Sequence, residues 1–430
     1  HGLVRDVAYV GLPFARRRLI HRRFAESVES QRGPLDGLRL GLLALHFDLA
    51  NDSDRAYRYC SIAGRRAKAD GANAEAASLL DRAIVNARRL GDVEAHELAA
   101  VAEEFGDAAE LAARYQQADA GYRLARSLLR GDDSSLARLA RKEGIVRERT
   151  GKYNAALDWY RKGRKNAEAL DEPEASTLRA DLLLAAAGIK MHQGRLRACI
   201  RWAERALDAA VTVGYRRAEA HAYYLLDLAH TDLGDPAADD YRDKALPIFE
   251  ELGDNVGIAR TLGNLSVDAR YEGRWNDSLE LAARCSEIQE RVGDVTGLAM
   301  SNYNAAEVLQ DQGRLDEAEE MLERARRTWR AADFTLGIGA ASGALGRLAL
   351  RRRDDTRAVE LIDEAVEVFD KMGADSWIAE LSAHRVEADL FAGRWQRVIS
   401  ATDATAGDES AGQDAALRSK LARFRAVAAR

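Results

Sequence analysis

A repeat period of about 40 residues, in the range of helical-repeat arrays, constrains the fold of this chain more than any other feature. The stretch GRLDEAEEMLERARRTWRAADF, residues 313–334, shows the pattern: a turn residue first, a large residue two positions later, and small residues five and twelve positions after the start. The last five such segments, from Gly234 to Gly393, follow one another at a nearly constant spacing. A period held this closely indicates an array of internal repeats. The ten aligned segments begin at Asn51, Gly71, Ala113, Gly151, Gly194, Gly234, Gly273, Gly313, Arg353 and Gly393.

The two small residues of each segment predict close contacts between helices. Residues seven apart, such as Ala318 and Ala325, lie on one face of a helix, two turns from each other. A leucine at such a contact would overpack it, at a cost of about 1–3 kcal/mol. The segment at Gly234 fits the pattern if one residue is missing, and the segment at Gly393 departs from it with Val398.

Each segment predicts two helices joined by a tight turn. Helix A ends just before the turn residue, and helix B follows it. Gly-Asp pairs close several of the B helices, as at Gly91, Gly253 and Gly293, and glycine is the expected residue just after a helix C-terminus. The 430 residues contain five prolines, so long linkers are not expected, and no run of apolar residues is long enough to span a membrane. The predicted fold class is all-α.

These features resemble the tetratricopeptide repeat family. The matching residues are the turn Gly-Arg or Gly-Lys, the aromatic residue or leucine after it, and the two small residues of helix B. The family's usual unit is about 34 residues, so the helices here are expected to be longer. The resemblance implies a solenoid with a right-handed superhelix, in which residues 92–405 form about eight repeats, residues 37–91 form atypical helical repeats, and residues 406–430 form a capping helix.

The first ninety residues carry a second resemblance. They are similar to the stretch that follows the ATPase module in bacterial multidomain signalling ATPases, with residues 1–36 as a helical remnant of that module. Among such proteins the likeness is to class III adenylate or guanylate cyclases with a tetratricopeptide tail, and ATPase-coupled transcription regulators remain the alternative. The start at His1 suggests that the chain begins inside a longer protein. The residues that carry the resemblance are Leu12, Pro13, Arg16–Arg18, His21, Ala25, Glu26, Leu45, His46, Phe47, Ala56, Tyr59, Ala63, Ala67, Asn73, Glu75 and Ala76.

Charge and cysteine content exclude some classes of protein. The formal net charge is −6, which argues against a nucleic-acid binder driven by overall charge. Two of the three cysteines, Cys199 and Cys285, occupy small-residue positions of the repeat, and the third is Cys60. We expect buried thiols and a reducing cytoplasm rather than disulfides.

No set of residues predicts catalysis or a bound cofactor. Gly144 and Gly151 have six residues between them, and Lys152 follows. A phosphate loop needs four residues between its glycines and then Ser or Thr after the lysine. The run GIGAASGALG, residues 337–346, lacks the dinucleotide spacing and a preceding strand, so it predicts close helix packing. The eight histidines show no metal-binding spacing. We therefore predict no catalytic, metal or cofactor site and no enzyme activity in this chain. The resemblance of the first ninety residues implies that the longer protein to which the chain belongs is an adenylate cyclase.

The tetratricopeptide resemblance implies a concave groove lined by helix A. Asparagine there can donate to and accept from a peptide backbone, and tyrosine offers a large amphipathic face. The predicted partner is a protein or peptide, or the parent's own upstream domains. A homo-oligomer is compatible with the sequence, and polar residues that satisfy neighbouring helices, or a small molecule inside the superhelix, are the alternatives. The predicted groove residues are Tyr224, Asn264, Arg270, Tyr271, Tyr303, Asn304, Glu307, Arg347, His384 and Glu387.

Overall fold

A computed structural model describes residue 9, residues 11–31, residue 33, and residues 35–235, 237–406 and 415–429. In these residues every regular element is an α-helix, which confirms the all-α prediction. The chain forms two compact units. Unit 1 comprises His1–Glu143 with Glu290–Asp294, and unit 2 comprises Gly144–Gln289 with Val295–Arg430. The domain limits drawn from the sequence stay a prediction.

The helices follow one another with short turns. Helices α1 to α7 are Phe14–Glu29, Gly37–Leu49, Ser53–Ala69, Asn73–Leu90, Ala95–Leu111, Tyr115–Leu128 and Asp133–Arg149. Helices α8 to α14 are Tyr153–Ala167, Glu174–His192, Leu196–Thr212, Arg216–Leu233, Ala237–Glu251, Asn255–Tyr271 and Trp275–Val292. Helices α15 to α21 are Val295–Asp311, Leu315–Ala332, Thr335–Arg351, Asp355–Met372, Asp375–Phe391, Trp395–Ala406 and Ala415–Ala428. None of them, within the described residues, is long and apolar enough to cross a membrane.

The turn that opens each repeat has one backbone conformation throughout. All ten residues that begin the aligned segments have a positive φ, between 57° and 78°. Seven of them are glycines, which adopt this left-handed conformation without steric cost. The three exceptions, Asn51, Ala113 and Arg353, show that the turn geometry is kept even where the glycine is lost.

The small residues of helix B form the core contacts that the sequence predicted. Ala318 and Ala325 are 0% and 1% exposed, and Ala318 packs in a cluster with Leu322, Leu345 and Leu348. Cys60, Cys199 and Cys285 are buried cysteines that form no disulfide. The approach of neighbouring helices at these positions explains why larger side chains are absent from them.

Unit 2 closes on itself. One hydrophobic cluster joins Tyr153 and Ile189, of α8 and α9, to Phe369 and Met372 at the end of α18. A Cβ added at Gly194 would lie 2.6 Å from the Cβ of Ser376, which belongs to a distant repeat near the other end of the unit. The repeat array of this unit thus returns to its own beginning, and glycine at position 194 is required by the close approach.

Candidate functional site

Alternate helices of unit 2 form one continuous surface. Helices α9, α11, α13, α15, α17 and α19 contact each other in that order along the array. They are the A helices of successive repeats. All ten predicted groove residues lie on five of them, from α11 to α19. We call this surface the helix-A surface.

A chain of ion pairs crosses the middle of the helix-A surface. The carboxylate of Glu307 on α15 is 5% exposed and lies between two arginines. Arg270 Nη1 of α13 is 3.0 Å from it, and Arg347 Nη2 of α17 donates to both of its oxygens at 2.7 Å. Burial opposes the charged forms of Arg270 and Arg347, but the Glu307 carboxylate outweighs it and raises the pKa of both.

A second carboxylate extends this network. Asp311 lies 2.6 Å from Arg270 Nε and 3.0 Å from Arg351 Nη2. Arg347 also lies 3.7 Å from Glu380 on α19. Arg270, Arg347 and Arg351 are therefore neutralised by carboxylates of the same surface. This arrangement corresponds to the alternative in which polar residues satisfy neighbouring helices.

Two tyrosines flank the ion-pair network. The Tyr303 hydroxyl faces Arg347, and its ring packs against Trp329 with centroids 6.0 Å apart. Burial raises the pKa of Tyr303. Tyr271 is 78% exposed and is covered on one side by the Arg270 guanidinium, 5.5 Å from the ring centroid. Both tyrosines thus offer aromatic surface beside paired charges.

The asparagines behave differently from the charged residues. Asn264 lies beside the Tyr224 hydroxyl, and burial raises the pKa of that tyrosine. The Nδ2 group of Asn264 is buried, yet it makes no hydrogen bond of normal geometry. Asn304 occupies the same position one repeat later, and its Nδ2 is 4.0 Å from where a Cβ on Gly263 would stand. The Tyr224 hydroxyl is a polar neighbour of the Asn264 amide at poor hydrogen-bond geometry, so a better-placed acceptor would be favourable.

The last two predicted residues form a local pair. His384 Nδ1 and Glu387 Oε2 are 3.3 Å apart, one turn from each other on α19. The structure therefore groups Arg270, Tyr271, Tyr303, Glu307 and Arg347, and places Asn264 with Tyr224.

Sequence reasoning missed Asp311, Arg351 and Glu380. Asp311 and Arg351 stand one repeat apart at the last position of α15 and α17, the position that Tyr271 occupies on α13. The opposite charges of Asp311 and Arg351 at this repeated position were a signal that could have identified these two residues. It could not have shown which arginine each carboxylate would meet.

Two motifs that resembled nucleotide-binding loops are packing features. Gly144 lies within α7 with its Cα against the Tyr160 ring, where no side chain would fit. The run of residues 337–346 lies within α17, where Gly337 packs against Trp329. In the residues that the structure describes, no three His, Cys, Asp or Glu side chains are grouped so that they could hold a metal ion.

Comparison with known proteins supports the fold class. Residues 297–371 match the tetratricopeptide repeat family model. No curated protein matches the chain. The matched residues span α15 to α18, so the match shows tetratricopeptide-type helix pairs there, within an all-α array of helical repeats. Such repeats are a protein-interaction architecture.

Several solved structures are similar to the chain. A Rap protein complexed with competence and sporulation factor is 12% identical and covers 87% of this chain and 98% of its own, with a TM-score of 0.38. The apo form of RapI is 16% identical, and the match covers 60% of this chain and 99% of RapI, with a TM-score of 0.38. BtubC (BKLC) from P. vanneervenii is 19% identical, and the match covers 52% of this chain and 91% of BtubC, with a TM-score of 0.37.

Proposed function

We propose that the helix-A surface of unit 2 binds an extended, weakly charged peptide segment of a protein partner. The observation that carries this proposal is the buried Nδ2 donor of Asn264, which lies beside the Tyr224 hydroxyl without a hydrogen bond of normal geometry. Peptide carbonyl groups are acceptors that suit such a donor. Tyr224, Tyr271 and Tyr303 add aromatic surface on the same helices.

The ion pairs around Glu307 disfavour a charged ligand at the centre of this surface. A ligand carboxylate could reach Arg347 only by displacing Glu307, which is almost fully buried. Breaking a buried ion pair by removing one partner costs about 3–5 kcal/mol. Binding through backbone carbonyls and apolar side chains leaves the pairs in place. The affinity should therefore depend little on salt.

A peptide library displayed on phage and selected against the full chain tests the proposal. Enriched peptides should lose affinity about tenfold when Asn264→Ala and Asn304→Ala are combined, because two amide contacts are lost. Asn276→Ala, an exposed asparagine on α14, is the matched control and should leave the affinity unchanged. Selection of no peptide, or equal affinity for the double variant, would contradict the assignment.

We infer further that the chain is the regulatory region of a larger cytoplasmic signalling protein, with an adenylate cyclase and an ATPase module as its other parts. Its support is the resemblance over residues 12–76. Many residues that carry it are core residues, including His21, Ala25, Phe47 and Tyr59. Peptide binding would then bias the arrangement of the other modules by a population shift.

The sequence of the gene upstream of His1 discriminates between the two candidates for the full-length protein, a cyclase and a transcription regulator. A cyclase domain followed by an ATPase would support this regulatory role. A DNA-binding domain would instead support the alternative, a sensing region of an ATPase-coupled transcription regulator.

A further inference from the structure

Helices α8 and α10 carry an excess of positive charge that the helix-A surface does not share. Together they contain seven arginines and lysines against three carboxylates, in a chain whose net charge is −6. Six of these cations make no ion pair with any residue that the structure describes. We call them the basic face: Lys162, Arg164, Lys165, Arg197, Arg201 and Arg205.

The two helices of the basic face pack against one hydrophobic cluster. Trp202 of α10 packs against the hydrophobic cluster that contains Tyr153 and Tyr160 of α8, and also against the cluster around Ala203. On α10 the arginines at 197, 201 and 205 stand four residues apart, so they form one row about 12 Å long at 1.5 Å per residue. Five of the six cations are exposed, and Arg164 is half-buried.

Other B helices of unit 2 show that this excess is local. On α16 and α18, the described cations other than Arg327 are paired with carboxylates, for example Arg324 with Glu320, Arg357 with Glu319, and Lys371 with Glu367. The basic face departs from that pattern. Like charges left unpaired on one face repel each other, so a ligand that supplies negative charge would relieve this repulsion.

We propose that the basic face binds an acidic polypeptide segment, independently of the helix-A surface. A short acidic segment lies within the Debye length of about 8 Å at physiological ionic strength, where local attraction exceeds repulsion by the rest of the chain. A long nucleic acid would extend over the remaining surface, whose charge is negative. The Trp159 ring already carries Lys162 Nζ at 4.3 Å and Arg147 at 5.5 Å from its centroid, so a base that stacked on this ring would compete with these cations.

Fluorescence anisotropy with the full chain tests this proposal. The probe is a labelled peptide of about six residues with glutamate at every second position, which extended spans about 20 Å, compared with the same peptide carrying glutamine and with a 20-nucleotide oligothymidine. The glutamate peptide should bind at low salt and lose affinity at 200 mM NaCl, whereas the glutamine peptide should not bind. Tighter binding of the oligothymidine, or no binding of the glutamate peptide at low salt, would overturn the proposal.

Two charge-reversed proteins locate the binding surface. The combination of Arg197→Glu, Arg201→Glu and Arg205→Glu should weaken glutamate-peptide binding by at least about tenfold, because three surface ion pairs are lost. The control combines Arg314→Glu, just before α16, with Arg324→Glu on α16 and Lys371→Glu on α18, and it changes the net charge by the same amount. An equal loss in both proteins would overturn the assignment to the basic face.

A milder variant distinguishes a loss of binding from a folding defect. Lys162→Gln with Lys165→Gln changes only exposed side chains of α8, and circular dichroism should show unchanged helix content. Its affinity for the glutamate peptide should fall by a smaller factor than that of the triple variant. Unchanged affinity would contradict a surface that includes α8.

Discussion

At the scale of single residues, the turn that opens each repeat depends on one backbone angle. All ten turn residues adopt a positive φ, a conformation that costs about 1 kcal/mol for a residue with a Cβ. Gly313 has a φ of 78° and no neighbouring atom within 4 Å of an added Cβ. Any effect of a substitution there therefore arises from the backbone alone.

Gly313→Ala should lower the free energy of unfolding by about 1 kcal/mol, because a positive φ is unfavourable for alanine even where its Cβ meets no other atom. Asp333 has a φ of 56° just after α16, so Asp333→Gly should raise the same free energy by a few tenths to about 1 kcal/mol. Urea denaturation of both variants measures the effects. A neutral Gly313→Ala would show that the turn does not need glycine.

The sequence predicted these turns and the small contact residues because each is fixed within one repeat. It also placed Arg270, Glu307 and Arg347 on one surface. It did not predict that they neutralise one another, because ion pairing depends on how neighbouring A helices are rotated and staggered. Single-repeat patterns contain no information about that geometry.

At the scale of helices, the closure of unit 2 is the feature that the repeat period could not predict. A constant repeat period predicts helix pairs, but the number of repeats per superhelical turn follows from small rotations between repeats. The packing of α8 and α9 on α18 defines that number here. Gly194 and Gly313 share a backbone conformation, with φ values of 70° and 78°, but only Gly194 faces the other end of the array.

Gly194→Ala should therefore destabilise the protein more than Gly313→Ala. Both variants carry the same backbone cost, and Gly194→Ala adds overpacking against Ser376, which costs about 1–3 kcal/mol more. The difference between the two urea midpoints measures the closure contact. Equal midpoints would show that the first and last repeats of unit 2 do not press on each other in solution.

At the scale of whole units, stability should depend on acid through a buried carboxylate of unit 1. Burial would raise the pKa of Glu103, but Arg138 at 2.9 Å and Lys142 at 2.7 Å overcome it and lower the pKa to about 2. A carboxyl group with a lowered pKa stabilises the folded state above its unfolded pKa, near 4.5, and loses this contribution as the pH falls towards 2.

Unit 1 should accordingly lose on the order of 3 kcal/mol of stability between pH 5 and pH 2 from Glu103 alone. In Glu103→Gln this component of the pH dependence should vanish, while stability near pH 7 is lowered because two cations lose their partner. Urea midpoints at pH 7, 4 and 3 for both proteins provide the comparison. Parallel pH profiles would contradict the role of Glu103.

The closure of unit 2 also restricts how such a chain can change in evolution. An open repeat array can gain or lose a repeat at either end or in the middle, because each repeat contacts only its neighbours. In unit 2 the repeat that contains Gly194 must meet Ser376 across a fixed number of intervening repeats. Duplication or deletion of a single repeat would bring the wrong surfaces together, so the copy number of repeats is under the same selection as the residues of the core.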